Sequence, residues 1–377
     1  MAKVNVILDA NIVFYRIAFR MANSRNNNKI SSEREKLEFL REVNEEFRII
    51  LEPLLPFSKR IIFTRDFRTN WREAMLPFSF GYKAGRNKDF KFDLAGMIEC
   101  FNTYFNHLEE CGVYNFNVDY MEGDDLLYYL SETFYRNNES SILVSKDSDI
   151  PQTIKEKDGI FIVVFNDEKK FFIKNFAFKN EEDSMAAFLS GKETIEEMIT
   201  KKSIELNPKK VLLVKILSGD DSDNIPSCIL YLKKAAKKAK ITEEPKLIKK
   251  VNFTELRVEQ LLLEKPELVE LIKNGFDENG KVIIAKAILD FLSNNKLVSE
   301  TEPPTVEEII EGINRNILYI HLNMDYYPDL VKEAIGNKVV PILMDKDFYK
   351  AHAIGKYSFL EKYKKDTANR VVSYKEF

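Results

Sequence analysis

Apolar residues in the first half of the chain fall into two alternating kinds of run. Short stretches rich in β-branched and aromatic residues, at 4–8, 60–64, 114–120 and 141–144, each predict a strand. Longer segments near 12–21, 33–51, 94–111 and 125–136 repeat their apolar positions at helical spacing. This alternation predicts an α/β fold with a mainly parallel central sheet flanked by helices. The run 159–172 predicts a hairpin around Asn166-Asp167, added at the sheet edge. After Pro208 the pattern becomes mostly helical with long charged stretches, and Pro303-Pro304 is the clearest later break. The expected division is an α/β domain over 1–205 and a mostly helical region over 206–377, without internal repeats.

Composition adds limits. At 377 residues and 45% hydrophobic, the chain suffices for one large domain or two ordinary ones with real cores. With 57 Lys+Arg against 60 Asp+Glu, any affinity for nucleic acid must come from local patches. Cys100, Cys111 and Cys228 form no CxxC pair and share no ligand spacing with His107, His321 and His352, which argues against structural zinc. The start of the chain lacks a signal-peptide pattern, and no run approaches the length of a membrane span. A soluble cytoplasmic protein with reduced thiols is expected.

The acidic residues carry the chemistry. Asp9, Asp66 and Asp147 fall at or just past the C-terminal ends of predicted strands, the edge where open α/β sheets place ligands. Glu122-Gly123-Asp124-Asp125 opens a helix whose Leu126, Leu127, Leu130 and Phe134 form one apolar stripe. Favourable charges at a helix N-terminus explain one or two of these carboxylates but leave Glu122, Asp147 and Asp149 without a reason. Carboxylates about 5 Å apart repel by roughly 3 kcal/mol per pair at an effective dielectric near 20, so such a cluster calls for cations. Oxygen-only ligands point to magnesium or manganese.

Taken in order, Asp9-Ala10-Asn11, Asp66, Tyr82-Lys83-Ala84-Gly85-Arg86, Glu122-Gly123-Asp124-Asp125, Ser145-Lys146-Asp147-Ser148-Asp149 and Gly219-Asp220-Asp221-Ser222-Asp223-Asn224-Ile225-Pro226 resemble the 5′-nuclease family of flap endonucleases and 5′ to 3′ exonucleases. Leu318-Tyr319-Ile320 and Met324-Asp325-Tyr326-Tyr327-Pro328-Asp329 resemble its T-even phage ribonuclease H branch. The resemblance implies a PIN-like 5′-nuclease fold and magnesium-dependent two-metal phosphodiester hydrolysis that removes RNA primers or 5′ flaps in phage-type DNA replication. One Mg2+ would lie near Asp9, Asp66, Glu122 and Asp124, and a second near Asp125, Asp147, Asp149, Asp223 and Asp220, with Mn2+ able to substitute. Asp221 is left as a solvated loop residue. The implied partners are duplex DNA with a 5′ flap or an RNA:DNA hybrid, and a single-strand-binding protein or sliding clamp, with no membrane. Rival readings are a PIN-type endoribonuclease and a catalytically silent DNA-binding scaffold.

Basic residues complete the expectation. Lys83 and Arg86 are three apart, so a helix there would put them on one face, where the resemblance implies contact with the scissile phosphate; Lys88 and Lys91 follow. Trp71, Phe78, Phe80 and Tyr82 suit either base stacking or packing. Lys233, Lys234, Lys237 and Lys238 predict a basic helix for a duplex backbone, against the alternative of a solvated lysine face. The Gly-x-Gly hairpin usual after the last acidic loop of the family is replaced by Ser227-Cys228-Ile229-Leu230-Tyr231.

Overall fold

The computed structural model describes residues 4–24, 32–76, 82–83, 93–110, 113–175, 195–229, 231–232, 247–248, 253–272, 276–297 and 303–345. They divide into two compact units. Unit 1 takes the chain up to Trp71, then Lys88–Glu205, then Tyr327 onward; unit 2 takes Arg72–Asn87 and Leu206–Tyr326. Among the described residues, 72–76, 82–83 and 327–345 fall on the other side of a single cut after residue 205. Within unit 1 the Tyr327 hydroxyl donates to the Asp125 carbonyl at 3.3 Å, and Lys338 pairs with Asp119 and lies over the Phe67 ring. These bonds hold the late stretch there.

Unit 1 begins with β1 (Val4–Asp9), α1 (Ala10–Ser24), α2 (Glu33–Leu51) and β2 (Ser58–Thr64), and its first stretch ends where α3 (Trp71–Met75) begins. It continues through α4 (Leu94–Glu110), β3 (Tyr114–Phe116), α5 (Gly123–Arg136), β4 (Ser141–Val144), β5 (Lys155–Lys157), β6 (Ile160–Asn166), β7 (Phe171–Lys174), α6 (Ile195–Lys201) and β8 (Ser203–Glu205). One sheet runs in the order β3-β2-β1-β4-β6-β7-β8, with β5 antiparallel on β6. β3, β2, β1, β4 and β6 are parallel; β7 returns antiparallel on β6, which is the expected hairpin, and β8 lies parallel to β7. The mainly parallel α/β architecture is the one expected.

β3 is shorter than its apolar run. Past Phe116 the chain bonds to the segment that follows β2: Arg65 N–H donates to Phe116 O at 3.0 Å, Phe67 N–H to Met121 O at 2.9 Å and Trp71 N–H to Tyr120 O at 2.8 Å. Tyr120 meanwhile adopts a left-handed φ of 66°, which ends any ladder.

Strand alternation sorts the side chains. Val4, Val6, Leu8, Ile61, Phe63, Ile142 and Val144 join Phe14, Phe39, Phe47, Tyr104 and Phe105 in the core formed with α1, α2 and α4. Asn5, Ile7 and Asp9 take the other face of β1, toward α5. There the sheet has two polar ends. At the starting ends of the strands, Arg60 is fully buried, lies 5.7 Å over the Phe134 ring, and donates to Glu139 and to Asn5, both at 2.6 Å. Asn5 and Lys59 also donate to Glu139, at 2.9 and 2.6 Å.

Removing that carboxylate leaves a buried guanidinium without its counter-charge, so Glu139→Ala should cost about 3 kcal/mol, read by urea unfolding. Burial would raise the Glu139 carboxyl, but hydrogen bonds from Arg60, Lys59 and Asn5 outweigh it and hold the group below its ordinary value. This contribution is therefore present above the unfolded carboxyl's pKa of ~4.3 and disappears as pH falls through the lower folded one. An unfolding profile with the same acid dependence in Glu139→Ala and the parent would refute the assignment.

Unit 2 holds α7 (Pro208–Ser218), the short strands β9 (Tyr231–Leu232) and β10 (Leu247–Ile248), α8 (Glu255–Glu264), α9 (Glu278–Asn294) and α10 (Val306–Ile320). Pro208 starts α7 behind Asn207, whose side chain accepts from the N–H groups of Lys209 and Lys210. Leu213, Ile216, Leu217, Leu261, Ile288 and Ile313 are among the residues of its core. Pro303 and Pro304 directly precede Thr305, which caps α10 with Glu308, so the expected break is a helix start. α11 (Asp329–Lys338) and α12 (Val340–Met344) return to unit 1. Among the described residues no helix is long and apolar enough to cross a membrane.

Candidate functional site

In unit 1 the acidic residues gather where β1, β2 and β4 end and α5 begins. Asp9 is the last residue of β1, on the α5 face, and its Oδ1 accepts the N–H of Asn11 at 2.9 Å. Asp66 follows β2, and its backbone carbonyl accepts the Asn117 side chain at 2.8 Å. Its Oδ1 accepts the Gly123 N–H at 2.7 Å, a donor that the first turn of a helix leaves unused.

Gly123 is the point at which two carboxylates meet. A Cβ built there would stand 3.2 Å from Asp66 Oδ1 and 3.3 Å from Asp9 Oδ1, so the missing side chain is what lets both oxygens approach the start of α5. Burial, and next the charges of Asp66 and Asp147, raise the Asp9 carboxyl well above the usual carboxylate range; the N–H groups of Asn11 and Ile12 pull the other way. Asp147 and Asp149 form a turn after β4: Asp147 N–H donates to Ser145 Oγ at 3.1 Å, and Asp149 N–H donates to Asp147 Oδ1 at 2.8 Å. Asp147 thereby joins Asp9 and Asp66 in one electrostatic neighbourhood.

The α5 cluster divides its labour. Leu126, Leu127, Leu130 and Phe134 are buried, as their stripe predicts. Glu122 is 8% exposed and Asp124 half-buried, whereas Asp125 is wholly buried. Asp125 Oδ2 accepts the Glu122 N–H at 3.3 Å and the Trp71 indole N–H at 3.2 Å. Of the two roles that the sequence leaves to Trp71, packing is the observed one.

Among the described residues, no three His, Cys, Asp or Glu side chains stand in an arrangement that would by itself hold a metal ion. The donor set is nonetheless of the right kind: hard oxygen ligands, two of them sharing a cradle that a single Cβ would fill.

Unit 2 carries the last acidic cluster. Gly219 has a φ of +77°, and a Cβ there would meet the Ile225 carbonyl at 2.3 Å, so only glycine fits this turn. Asp220 and Ile225 exchange two backbone hydrogen bonds of 2.8 Å. Asp220 Oδ1 accepts from Ser222 N–H and Oγ, and Oδ2 from Lys215 Nζ at 2.8 Å. Burial opposes ionisation of Asp220, but the bonds from Lys215 and Ser222 prevail and hold its carboxyl below the usual value. Asp220 is thus already committed to its own loop, while Asp221 is exposed.

Lys83 meets that loop, its N–H donating to Asp223 O at 2.8 Å and its ammonium lying 3.8 Å from Asp223 Oδ2 and 5.1 Å above the Tyr82 ring. The expected helical face of Lys83 and Arg86 does not begin at Lys83, which sits in a turn with a left-handed φ of 57°. A strained, non-glycine backbone there is held by the bond to Asp223. Arg86, Lys88, Lys91, Phe78, Phe80, Lys233, Lys234, Lys237 and Lys238 lie outside the described residues.

Residues 228–229, in place of a glycine hairpin, pack against α10. Cys228 N–H donates to Leu217 O at 3.0 Å, and a Cβ at Gly312 would stand 1.9 Å from the Cys228 carbonyl. Arg315 and Asn316 bind the carbonyls on either side of this turn: Arg315 donates to Ser227 O at 2.8 Å, and Asn316 to Ile216 O and Pro226 O, each at 2.8 Å. Sequence reading named Gly123 only as a member of the acidic motif, with no role of its own, and singled out none of Asn117, Arg315 or Asn316. For Gly123 the signal was present, since glycine in the first turn of an otherwise strong helix is unfavourable without a steric reason.

Residues 4–183 match the family model described as 5′-3′ exonuclease, N-terminal resolvase-like domain. Comparison with curated proteins finds no match. Among solved structures, the chain is similar to the phage T5 D15 protein co-crystallised with metal ions, with 14% identity over 92% of this chain and 97% of that one and a TM-score of 0.44. It is also similar to the catalytic core of Rad2 in complex with DNA substrate, with 13% identity over 95% and 92% and a TM-score of 0.35. For human GEN1 in complex with Holliday junction DNA the identity is 14% over 92% and 75%, with a TM-score of 0.30.

Proposed function

We propose that the chain, whose residues 4–183 match the N-terminal resolvase-like domain of 5′-3′ exonucleases, is a 5′-nuclease that hydrolyses phosphodiester bonds from the 5′ end of flapped duplexes and RNA:DNA hybrids with the help of two Mg2+ ions. The observation that carries this reading is the approach of Asp9 and Asp66 to Gly123 at the head of α5, with Asp147 acting on Asp9. The residues that would hold the ions are Asp9, Asp66, Glu122, Asp124, Asp147 and Asp149, and Mn2+ suits the same oxygen donors. When bound, such ions supply activation of a water and stabilisation of the departing oxygen in an in-line displacement.

The protein's own residues fix the donors. The β1 and β2 ends and the Gly123 N–H orient Asp9 and Asp66, and the turn after β4 orients Asp147. Within unit 2, Asp220 is given the part of shaping the loop that carries Asp223, whose carboxylate lies 3.8 Å from the Lys83 ammonium, and Lys83 is assigned to the scissile phosphate. Recognition through phosphates makes the substrate a matter of strand ends and junctions rather than of base sequence. A ribonuclease H role in phage-type replication extends this reading on the residues 318–329.

The test is digestion of end-labelled RNA:DNA hybrid, 5′-flap and blunt duplex substrates with and without Mg2+. Short products from the 5′ end that need both Mg2+ and a free 5′ terminus are expected. Efficient cutting of closed circular duplex, products appearing first from the 3′ end, or full activity in a chelator would overturn the proposal.

A further inference from the structure

The chain has one tryptophan, and it is buried beside the acidic turn, 1% exposed. Trp71 is pinned at both ends. Its backbone N–H donates to Tyr120 O at 2.8 Å, in the loop that leads to Glu122, and its ring packs edge-on against Tyr327 with centroids 5.9 Å apart. Its indole N–H reaches Asp125 Oδ2 at 3.2 Å, the same oxygen that accepts the Glu122 N–H at 3.3 Å. The Tyr327 hydroxyl donates to the Asp125 carbonyl at 3.3 Å. A carboxylate with no solvent exposure persists only when donors compensate its lost hydration, and here the donors come from the segments flanking the acidic turn.

We propose that Trp71 and Asp125 are positioning residues, whose bond sets the turn carrying Glu122 and Asp124, and that Asp125 is not itself an ion ligand. This rests on the reading that Glu122 and Asp124 hold divalent ions, and it departs from the ligand role that the sequence resemblance gives Asp125. Positioning requires only an acceptor at Asp125. An asparagine amide oxygen can take both N–H bonds, whereas a direct ligand loses its charge and much of its affinity on the same change.

The test is calorimetric titration of the full chain with Mn2+, comparing the parent with Trp71→Phe, Asp125→Asn and Asp124→Asn, each checked by circular dichroism. Trp71→Phe keeps a ring but no N–H, so the turn carrying Glu122 and Asp124 loses one of its supports, and Mn2+ should bind about 10-fold more weakly, the low end of the effect seen when bonds directly behind metal ligands are removed. Asp125→Asn should weaken it only a few-fold, and far less than Asp124→Asn. In metal-free protein, emission of the single tryptophan should move to shorter wavelength in Asp125→Asn, because a negative charge beside the pyrrole ring has gone. Parental Mn2+ affinity in Trp71→Phe, or a loss in Asp125→Asn as large as in Asp124→Asn, would overturn the inference alone. If Trp71→Phe fails to fold, the Asp125→Asn comparison decides. A parent that binds no Mn2+ would overturn the metal reading and this inference with it.

Discussion

Asp147→Asn is expected to remove nearly all cleavage while leaving the metal-free protein at least as stable as the parent. The opposite signs follow from one electrostatic interaction. The Asp147 charge is among the causes that raise the Asp9 carboxyl, so in metal-free protein the ionised pair repels and removing one charge relieves it. With ions present the same charge is an asset, and its loss should lower the single-turnover rate by about a thousandfold, ~4 kcal/mol of barrier. Binding of a flapped duplex should stay within a few-fold, since the phosphate contacts assigned to Lys83 are untouched. Asp124→Asn should behave alike in rate. The measurements are single-turnover cleavage, substrate binding in Ca2+, and metal-free urea unfolding. A normal rate in both variants would sink the metal assignment, and a loss of rate matched by a loss of stability would make Asp147 a structural residue.

Much of unit 1 was legible because its signals are local. The β-branched runs at 4–8 and 141–144 are the observed β1 and β4, and the stripe Leu126, Leu127, Leu130 and Phe134 is buried on α5. Asp9, Asp66 and Asp147 could be placed at one sheet edge because strand ends in a parallel sheet share a side. Less legible were features set by pairing between distant segments. The early end of β3 depends on hydrogen bonds from residues 65–71, some fifty positions away, and no periodicity within 114–120 encodes them. The spacing of Lys83 and Arg86 would give them a shared face only on a helix, but the Lys83 backbone sits in a turn bonded to Asp223. Asp125 resembled its acidic neighbours in sequence, yet burial and the Trp71 indole give it different surroundings. Charge type is written in the sequence; exposure and the donor on the other side of a bond are not.

Gly123→Ala should separate catalysis from folding at a single methyl group. Alanine is the better helix former by up to ~1 kcal/mol, so on propensity alone the substitution should leave α5 as stable or more so. The added Cβ, however, would stand 3.2 Å from Asp66 Oδ1 and 3.3 Å from Asp9 Oδ1, closer than such contacts normally come. Both neighbours are ends of side chains and can withdraw by a few tenths of an ångström, so the strain should be relieved by moving the carboxylates rather than the backbone. Small misplacements of this kind cost roughly 10- to 100-fold in rate when the displaced groups hold the reacting centre. Gly336→Ala is the control, since a Cβ there, at an exposed position of α11, meets nothing within 4 Å. It should gain the helix propensity and keep the parent's cleavage rate. Thermal unfolding and Mg2+-dependent single-turnover rates of the two variants decide the matter: a Gly123→Ala protein that cleaves like the parent would show that the approach of Asp9 and Asp66 to the head of α5 has no part in the reaction.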